Sequence, residues 1–152
     1  MLPGHTPSMD TNDTLILPFD NAVHRQAVID LWKMVFDPLA SYNDPAFAID
    51  RKRAVDDLFF VAVENDTVIG TIMAGYDGHR GWIYSLAVHP DQRKHGIGSM
   101  LLHHAENALT KRGCFKINLQ VRESNVDVIR FYEANGFAME KILSMGKVVD
   151  QD

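Results

Sequence analysis

Three strand-like segments in the middle of the chain are joined by turns that leave little choice of topology. The segments are Phe59–Glu64, Thr67–Tyr76 and Trp82–Val88, which are rich in apolar and β-branched residues. Asn65-Asp66 forms the first turn, and Asp77-Gly78 begins the second. Connections of about two to five residues join only antiparallel neighbours. The pattern therefore predicts an antiparallel meander.

The residues before the meander predict one strand and two helices. Leu15–Leu17 is a short apolar run that ends at Pro18. Apolar residues then recur at helical spacing over Ala22–Phe36. Asp37-Pro38 ends that helix, because the residue before a proline disfavours the helical conformation. A second helix is predicted over about Ala46–Asp57.

The residues after the meander return to a helical period and then to a strand. Ile97–Arg112 has one apolar face, and Phe115–Val121 alternates apolar with polar residues. Asn125 can cap a last helix that reaches about Ala134, and Phe137–Val149 supplies one or two final strands. This order of elements predicts a layered α/β fold, with about four helices flanking a mixed sheet of about six or seven strands.

Length and composition describe one ordinary globular domain. The chain has 152 residues, of which 46% are apolar, and domains commonly contain about 100–200 residues. Residues 1–13 show no periodicity and predict a flexible tail, with Met9 as an alternative start. Because no linker or repeat divides the rest, we predict a single domain over residues 14–152.

Charge and cysteine content exclude several classes of protein. A net charge of -5 argues against nucleic-acid and membrane-surface binding. The longest apolar run, Leu58–Val63, is far shorter than the roughly 20 residues of a membrane-spanning helix. The single cysteine excludes an intrachain disulfide framework, and Met1–Asp10 carries no secretory signal. A cytoplasmic protein is therefore expected.

A strand that runs into a glycine-containing loop offers a site for an anion. Leu86-Ala87-Val88 leads through His89-Pro90 to Arg93–Ser99, where a helix begins. Unpaired N–H groups and the positive dipole end of a helix attract anions, and Gly96 and Gly98 let a phosphate approach the backbone. The alternative is a plain basic loop before a helix. The glycine spacing matches neither the dinucleotide fingerprint nor the Walker loop.

These features together resemble the GNAT superfamily of acetyl-CoA-dependent N-acetyltransferases. Arg93-Lys94-His95-Gly96-Ile97-Gly98 resembles the acetyl-CoA pyrophosphate loop, Arg/Gln-x-x-Gly-x-Gly/Ala. Leu86-Ala87-Val88 resembles the strand before that loop, and Asn125 with Phe131-Tyr132-Glu133 resembles a later motif. The match covers about residues 58–140. It is similar to the small bacterial type that includes the ribosomal-protein alanine acetyltransferases.

The resemblance implies a GNAT-like fold with acetyl-CoA bound where the sheet opens. In the family, the strands predicted here as Trp82–Val88 and Phe115–Val121 are parallel neighbours that splay apart at one end. Unpaired backbone groups there would bond the pantetheine arm, and the Val88 amide would donate to the thioester oxygen. The implied cofactor-binding residues are Leu86, Ala87, Val88, Arg93, Lys94, His95, Gly96, Ile97, Gly98, Ser99, Asn125 and Tyr132.

Two residues of the last helix complete the implied site. Asn125 and Tyr132 are about two helical turns apart and lie near one face. By resemblance, Asn125 contacts the cofactor arm, and Tyr132 is the general acid that protonates the departing CoA thiolate. A phenol with a pKa of about 10 suits a thiolate whose conjugate acid has a pKa of about 8.5. Helix capping alone for Asn125 and core packing for Tyr132 are the alternatives.

The general base is not identified by the sequence. In the related ribosomal-protein alanine acetyltransferases a glutamate serves, at a place where this chain has Gln120, which cannot accept a proton. This difference argues against a protein N-terminal alanine as the acceptor. Glu123, Tyr84, Asp44 and an ordered water chain are the open candidates.

The resemblance implies an enzyme that acetylates a primary amine of a small molecule, peptide or protein by direct attack. Because Gln120 leaves the base open, a non-catalytic acyl-CoA-binding or regulatory module on the same fold is the alternative. A third hypothesis is an unrelated α/β nucleotide-binding protein. The acceptor is expected to depend on residues around Tyr42 and on the C-terminal strands. Family members often pair through those strands, so a homodimer is among the implied partners.

Other conspicuous side chains are expected to be structural. Cys114 is predicted to be a buried free thiol, and Trp32 and Trp82 are assigned to the core. His103-His104 is expected on the solvated side of its helix. The histidine spacing offers no zinc-binding set, so we predict no metal site.

Overall fold

A computed structural model describes residues 13–36 and 44–149 of the chain. Apart from Asp13, the predicted flexible tail lies outside these described residues, and so does Tyr42. In chain order the elements are β1 (Thr14–Pro18), α1 (Asn21–Val35), α2 (Pro45–Val55), β2 (Phe59–Glu64), β3 (Thr67–Tyr76), β4 (Gly81–Val88), α3 (Ile97–Lys111), β5 (Ile117–Leu119) and α4 (Val126–Ala134).

The chain divides into two compact units, and most contacts of each unit are between its own residues. The first ends at Gln120 and the second begins at Val121. The first unit contains all five strands of the described residues together with α1, α2 and α3. The second contains α4 and the segment after it. A single domain over residues 14–152 stays a prediction.

Within the described residues, five strands form one sheet in the order β1-β2-β3-β4-β5. The pairs from β1 to β4 are antiparallel, which confirms the meander. β4 and β5 are parallel, because α3 carries the chain back across the sheet between them. The predicted α/β fold with a mixed sheet and four helices is therefore confirmed.

The sheet has fewer strands than the sequence predicts. Phe137–Val149 contains no strand, and the strand predicted over Phe115–Val121 is reduced to Ile117–Leu119. The side chains of Phe115 and Leu143 are almost fully exposed. Apolar content alone does not make a strand, since a strand also needs a neighbour that pairs with its backbone groups. Outside Ile117–Leu119, neither segment forms a strand in the structure.

One face of the sheet is covered by α1 and α2. Each helix begins at an aspartate: Asp20 accepts hydrogen bonds from the N–H groups of Ala22 and Val23, and Asp44 accepts one from Phe47. Their apolar residues pack with those of β2, β3 and β4 in one cluster. The buried members of that cluster are Val28, Leu31, Trp32, Ile49, Phe59, Val61, Val68, Met73 and Ala87.

The opposite face is covered by α3. Its buried residues are Ile97, Leu101, Leu102, Ala105 and Leu109. A Cβ atom added to Gly81 would lie 2.7 Å from Cys114 Sγ and 2.9 Å from Leu109 Cδ1, so β4 and the end of α3 pack closely. Cys114 is a buried free thiol, as predicted. This contact fixes the end of α3 against the start of β4.

The structure confirms some side-chain assignments and corrects others. Trp32 is buried, as predicted, whereas Trp82 is 36% exposed and not a core residue. Its indole Nε1 donates to Asp77 Oδ2 at 3.3 Å, a partner available only at the surface turn. His103 is exposed, but His104 is half-buried with its ring 4.6 Å from that of Phe60. No helix in the described residues is long and apolar enough to cross a membrane.

Candidate active site

The sheet opens between β4 and β5. The two strands pair only at Gly81 with Ile117, Trp82 with Asn118 and Ile83 with Leu119. β4 then continues to Val88, and over that stretch no strand of residues 13–36 or 44–149 pairs with its outer edge. The expected separation of two parallel neighbours is therefore present.

The backbone groups of Val88 point into this opening. His89 N–H donates to Ile69 O at 2.8 Å, and Ala87 lies opposite Thr71 on β3. Successive residues of a strand direct their N–H and C=O groups to opposite edges, so those of Val88 face away from β3. The carbonyl of Val88 accepts a hydrogen bond from Arg93 Nε at 3.2 Å, which agrees with this direction.

The loop after β4 presents the start of α3 to solvent. A short 3-10 turn, Pro90–Gln92, follows the strand, and Lys94 and Gly96 adopt positive φ angles of 69° and 80°. Gly96 is the N-cap of α3 and makes no side-chain cap hydrogen bond. A Cβ atom at Gly96 would meet no atom within 4 Å, so the approach to the helix start is open.

The residues of the predicted pyrophosphate loop differ in exposure. Arg93, Lys94, His95 and Gly96 are exposed, and Gly98 and Ser99 are half-buried. Ile97 and, at the end of β4, Ala87 are buried with their side chains in the core. Only the backbone of these two residues is available to a ligand. Exposed cationic side chains beside free N–H groups at a helix start suit a diphosphate.

In the second unit, Asn125 lies at the start of α4. Its side-chain Oδ1 accepts a hydrogen bond from Val128 N at 3.4 Å, so the capping contact considered as an alternative is present. The residue is exposed. Since the bond to Val128 uses the side-chain oxygen, the Asn125 amide nitrogen can still donate to a ligand.

Tyr132 is the buried residue of α4. Its ring packs edge to face against Phe131 and Phe137, with centroid distances of 5.2 and 5.5 Å. The side chain is 8% exposed, and burial raises the pKa of Tyr132 to about 12. Desolvation disfavours the phenolate, so the hydroxyl keeps its proton around neutral pH.

Two of the singled-out residues directly follow the last β4–β5 pair, Ile83 with Leu119. Tyr84 continues β4 on the face of Trp82, and Gln120 follows β5. Both residues are exposed. Of the other base candidates, Asp44 uses its carboxylate to cap α2, and Glu123 is an exposed residue of the second unit.

A buried lysine lies beside Tyr84, and no pattern in the sequence singled it out. Lys52 Nζ lies 5.2 Å from the centre of the Tyr84 ring. The ammonium group donates to Ala74 O at 2.5 Å and pairs with Asp56 Oδ1 at 2.7 Å. The Lys52 side chain is only 5% exposed. Buried lysines are uncommon, but a lysine in the last turn of a helix gives no sequence signal of burial.

The described residues contain no group of three or more histidine, cysteine, aspartate or glutamate side chains that could hold a metal ion.

Comparisons with known proteins agree with this geometry. The sequence profile of the acetyltransferase (GNAT) family matches residues 25–137. An acetyltransferase of Pectobacterium atrosepticum is 45% identical over 128 residues, which are 84% of this chain and 90% of that protein.

Two solved structures illustrate the similarity in fold. The NatC complex bound to Gag peptide and CoA matches with a TM-score of 0.73 and 25% identity, over 85% of this chain and 87% of that chain. The ribosomal-protein-S18-alanine N-acetyltransferase of Escherichia coli matches in fold with a TM-score of 0.72 and 23% identity, over 84% of this chain and 79% of that chain. The chain therefore belongs to the acetyltransferase (GNAT) family and is an acetyl-CoA-dependent N-acetyltransferase.

Proposed function

We propose that this enzyme transfers the acetyl group of acetyl-CoA directly to a primary amine of a small molecule, peptide or protein, within a ternary complex. The observation that carries the proposal is the free edge of β4 beyond Ile83, which leads to the open start of α3. The bound CoA of the NatC complex supports it, since that complex has the same fold.

The residues present fit acetyl-CoA at both of its ends. The backbone groups of Leu86 and Val88 would bond the pantetheine amides, as an added strand does. The N–H groups from Arg93 to Ser99, with the cationic side chains of Arg93 and Lys94, would hold the diphosphate. The Asn125 amide would contact the arm, and His95 is a further donor to the phosphates.

The Val88 amide would stabilise the reacting carbonyl. Negative charge develops on the thioester oxygen when the amine attacks, and a fixed N–H donor lowers the energy of that state. Because Val88 N–H faces away from β3, it is not used by the β3–β4 pairing. The sheet therefore fixes the position of the Val88 N–H, and this N–H remains available to the thioester oxygen.

The acceptor amine gives up two protons in this reaction. The acceptor enters as an ammonium ion and loses one proton before attack and a second when the amide forms. One proton reaches the sulfur of CoA, and the other is released to solvent. The enzyme therefore needs a proton acceptor on the amine side and a proton donor at the sulfur.

Tyr132 would be the donor at the sulfur. With a pKa of about 12 it holds its proton around neutral pH. Complete transfer to a thiolate whose conjugate acid has a pKa of about 8.5 is uphill. The hydroxyl would therefore first stabilise the thiolate by a hydrogen bond, and a proton from solvent then replaces the one it gives up.

Tyr84 would contact the acceptor amine. Its ring is exposed just beyond the last β4–β5 pair, its hydroxyl lies beside Gly75 of β3, and Lys52 Nζ lies 5.2 Å from the ring centre. A phenol oxygen in this position would accept a hydrogen bond from the incoming amine, and water would carry the proton away. The amide of Gln120 can orient the acceptor but cannot take its proton.

The hydroxyl of Tyr84 gives a prediction on the acceptor side. Tyr84→Phe should lower kcat/KM for the acceptor by about 10- to 100-fold, because a hydrogen bond with a charged group contributes about 1.5–3 kcal/mol. The KM for acetyl-CoA should stay unchanged. Steady-state kinetics with each substrate varied separately makes the test, with Tyr76→Phe on β3 as the matched control. An equal loss in the two variants would argue against a contact between Tyr84 and the acceptor.

Cofactor binding and turnover test the proposed function in two steps. Acetyl-CoA at about 100 times its Kd should stabilise the folded protein by about 2.7 kcal/mol and raise its Tm by several degrees. ATP and NAD should give no such shift. CoA release should then be measured with a thiol reagent across alkylamines, polyamines, aminoglycosides and unblocked peptides. No shift at millimolar acetyl-CoA would refute the proposal.

Gln120 raised the alternative of a non-catalytic acyl-CoA-binding module, and membership of the acetyltransferase family argues against it. Such a module would show the thermal shift with acetyl-CoA but no CoA release with any amine of the panel.

We also propose that the enzyme forms a homodimer and is located in the cytoplasm. Met139, Leu143 and Met145 expose most of their apolar surface after α4, which supports a protein partner there. The free thiol of Cys114 supports a reducing compartment.

A further inference from the structure

A bulge in β4 lies where this strand leaves β5. Thr71 is opposite Ala87 and Met73 is opposite Tyr84, so Ser85 and Leu86 together face a single residue of β3. A bulge bends its strand and increases the local twist. Since the last β4–β5 pair is at Ile83, the bend comes directly after the point where pairing stops.

The bulge holds a non-glycine residue in a strained conformation. Ser85 has a φ of 53°, in the left-handed region that residues with a side chain rarely adopt. Such a conformation is energetically unfavourable and persists only where the surroundings enforce it. A contact with a neighbouring residue must therefore hold Ser85 in this conformation.

A buried hydrogen-bond chain reaches Ser85 from α1. Trp32 Nε1 donates to Thr71 Oγ1 at 2.8 Å, and Thr71 Oγ1 donates to Ser85 O at 3.0 Å. Thr71 is fully buried and Trp32 is 4% exposed. A hydroxyl has one proton and two lone pairs, so it can accept from the indole and donate to the carbonyl at once. The chain ties α1, β3 and the bulge together.

We propose that Thr71, anchored by Trp32, is the positioning residue that keeps the bulge at Ser85 and thereby the shape of the acetyl-CoA-binding edge of β4. This inference rests on the proposed function, because it acts through Leu86 and Val88. Neither Thr71 nor Trp32 touches the cofactor. Their effect is to fix the direction in which the free edge of β4 leaves β5.

The test compares acetyl-CoA binding by three full-length variants. Thr71→Val keeps the shape of the side chain but removes the hydroxyl, and should weaken acetyl-CoA binding at least tenfold. Thr71→Ser keeps the hydroxyl and should bind within about threefold of wild type. Trp32→Phe removes the donor to Thr71 together with part of a buried ring, and should give an intermediate loss. Isothermal titration calorimetry with acetyl-CoA, well below every Tm, measures the Kd.

A purely structural role would predict a different result. Val28→Ala removes core volume from α1 but keeps all the groups of the hydrogen-bond chain, so it should lower the Tm but leave the Kd near wild type. The proposal is overturned if folded Thr71→Val binds as tightly as wild type, or if Val28→Ala weakens binding equally. If Thr71→Val does not fold, Trp32→Phe decides by the same comparison. Absence of binding by the wild type would instead refute the proposed function.

Discussion

Replacing Val88 by proline should lower kcat/KM for acetyl-CoA by about 100- to 1000-fold while the protein remains folded. The loss of one oxyanion donor has an effect of this size in other acyl-transfer enzymes. Proline lacks the N–H and fixes φ at about −65°, and a strand tolerates it where the N–H faces away from the neighbouring strand, as at Val88. The substitution therefore removes the proposed donor without removing a bond of the sheet.

Val88→Ala is the matched control, because it shortens the same side chain and keeps the N–H. Its activity should stay within a few-fold of wild type, and circular dichroism should show both variants folded. Equal activities of the proline and alanine variants would mean that this amide does not stabilise the reaction. In that case the donor would have to be sought elsewhere along the edge.

Tyr132→Phe should lower kcat by about 100- to 1000-fold, because general acid catalysis commonly contributes about 100- to 10,000-fold. The ring and its edge-to-face contacts with Phe131 and Phe137 are retained, so Tm should change little. Binding of acetyl-CoA, measured by calorimetry, should be weakened much less than kcat.

The pH profile supplies a second readout for Tyr132. Its pKa is raised from 10 to about 12, so deprotonation removes the donor only as the pH rises toward 12. The wild-type rate should therefore show no fall due to Tyr132 around neutral pH, and Tyr132→Phe should lower the whole curve without moving its inflections. Tyr76→Phe serves as the control. A rate for Tyr132→Phe close to that of wild type would exclude the acid role.

The features predicted well from the sequence depend on short stretches of chain. The turns at Asn65-Asp66 and Asp77-Gly78 leave only antiparallel pairing, and the structure has that pairing. The separation of β4 from β5 followed from the resemblance to a family and not from periodicity. The pyrophosphate loop at Arg93–Ser99 and the acid at Tyr132 are predictions of the same origin, and binding and kinetics have yet to test them.

The features that the sequence did not predict depend on contacts between distant residues. Lys52 looks like an ordinary surface lysine, but Asp56 and the carbonyl of Ala74 make its burial tolerable. Trp82 looks like a core residue, but its indole finds Asp77 at the surface. Phe137–Val149 has the apolar content of strands but forms no strand in the structure. Burial and strand formation at these positions depend on tertiary contacts, which a local sequence pattern does not contain.

The hydrogen bond from Arg93 to the carbonyl of Val88 has a consequence for how the two halves of acetyl-CoA bind. The guanidinium group occupies an acceptor that an amide of the pantetheine arm would also use. A carbonyl accepts up to two hydrogen bonds, so an arm that arrives alone shares this oxygen with Arg93, whereas a diphosphate offers the same cation a stronger counter-ion. The diphosphate thus frees the carbonyl for the arm, so the intact molecule should bind more tightly than its separate fragments would suggest.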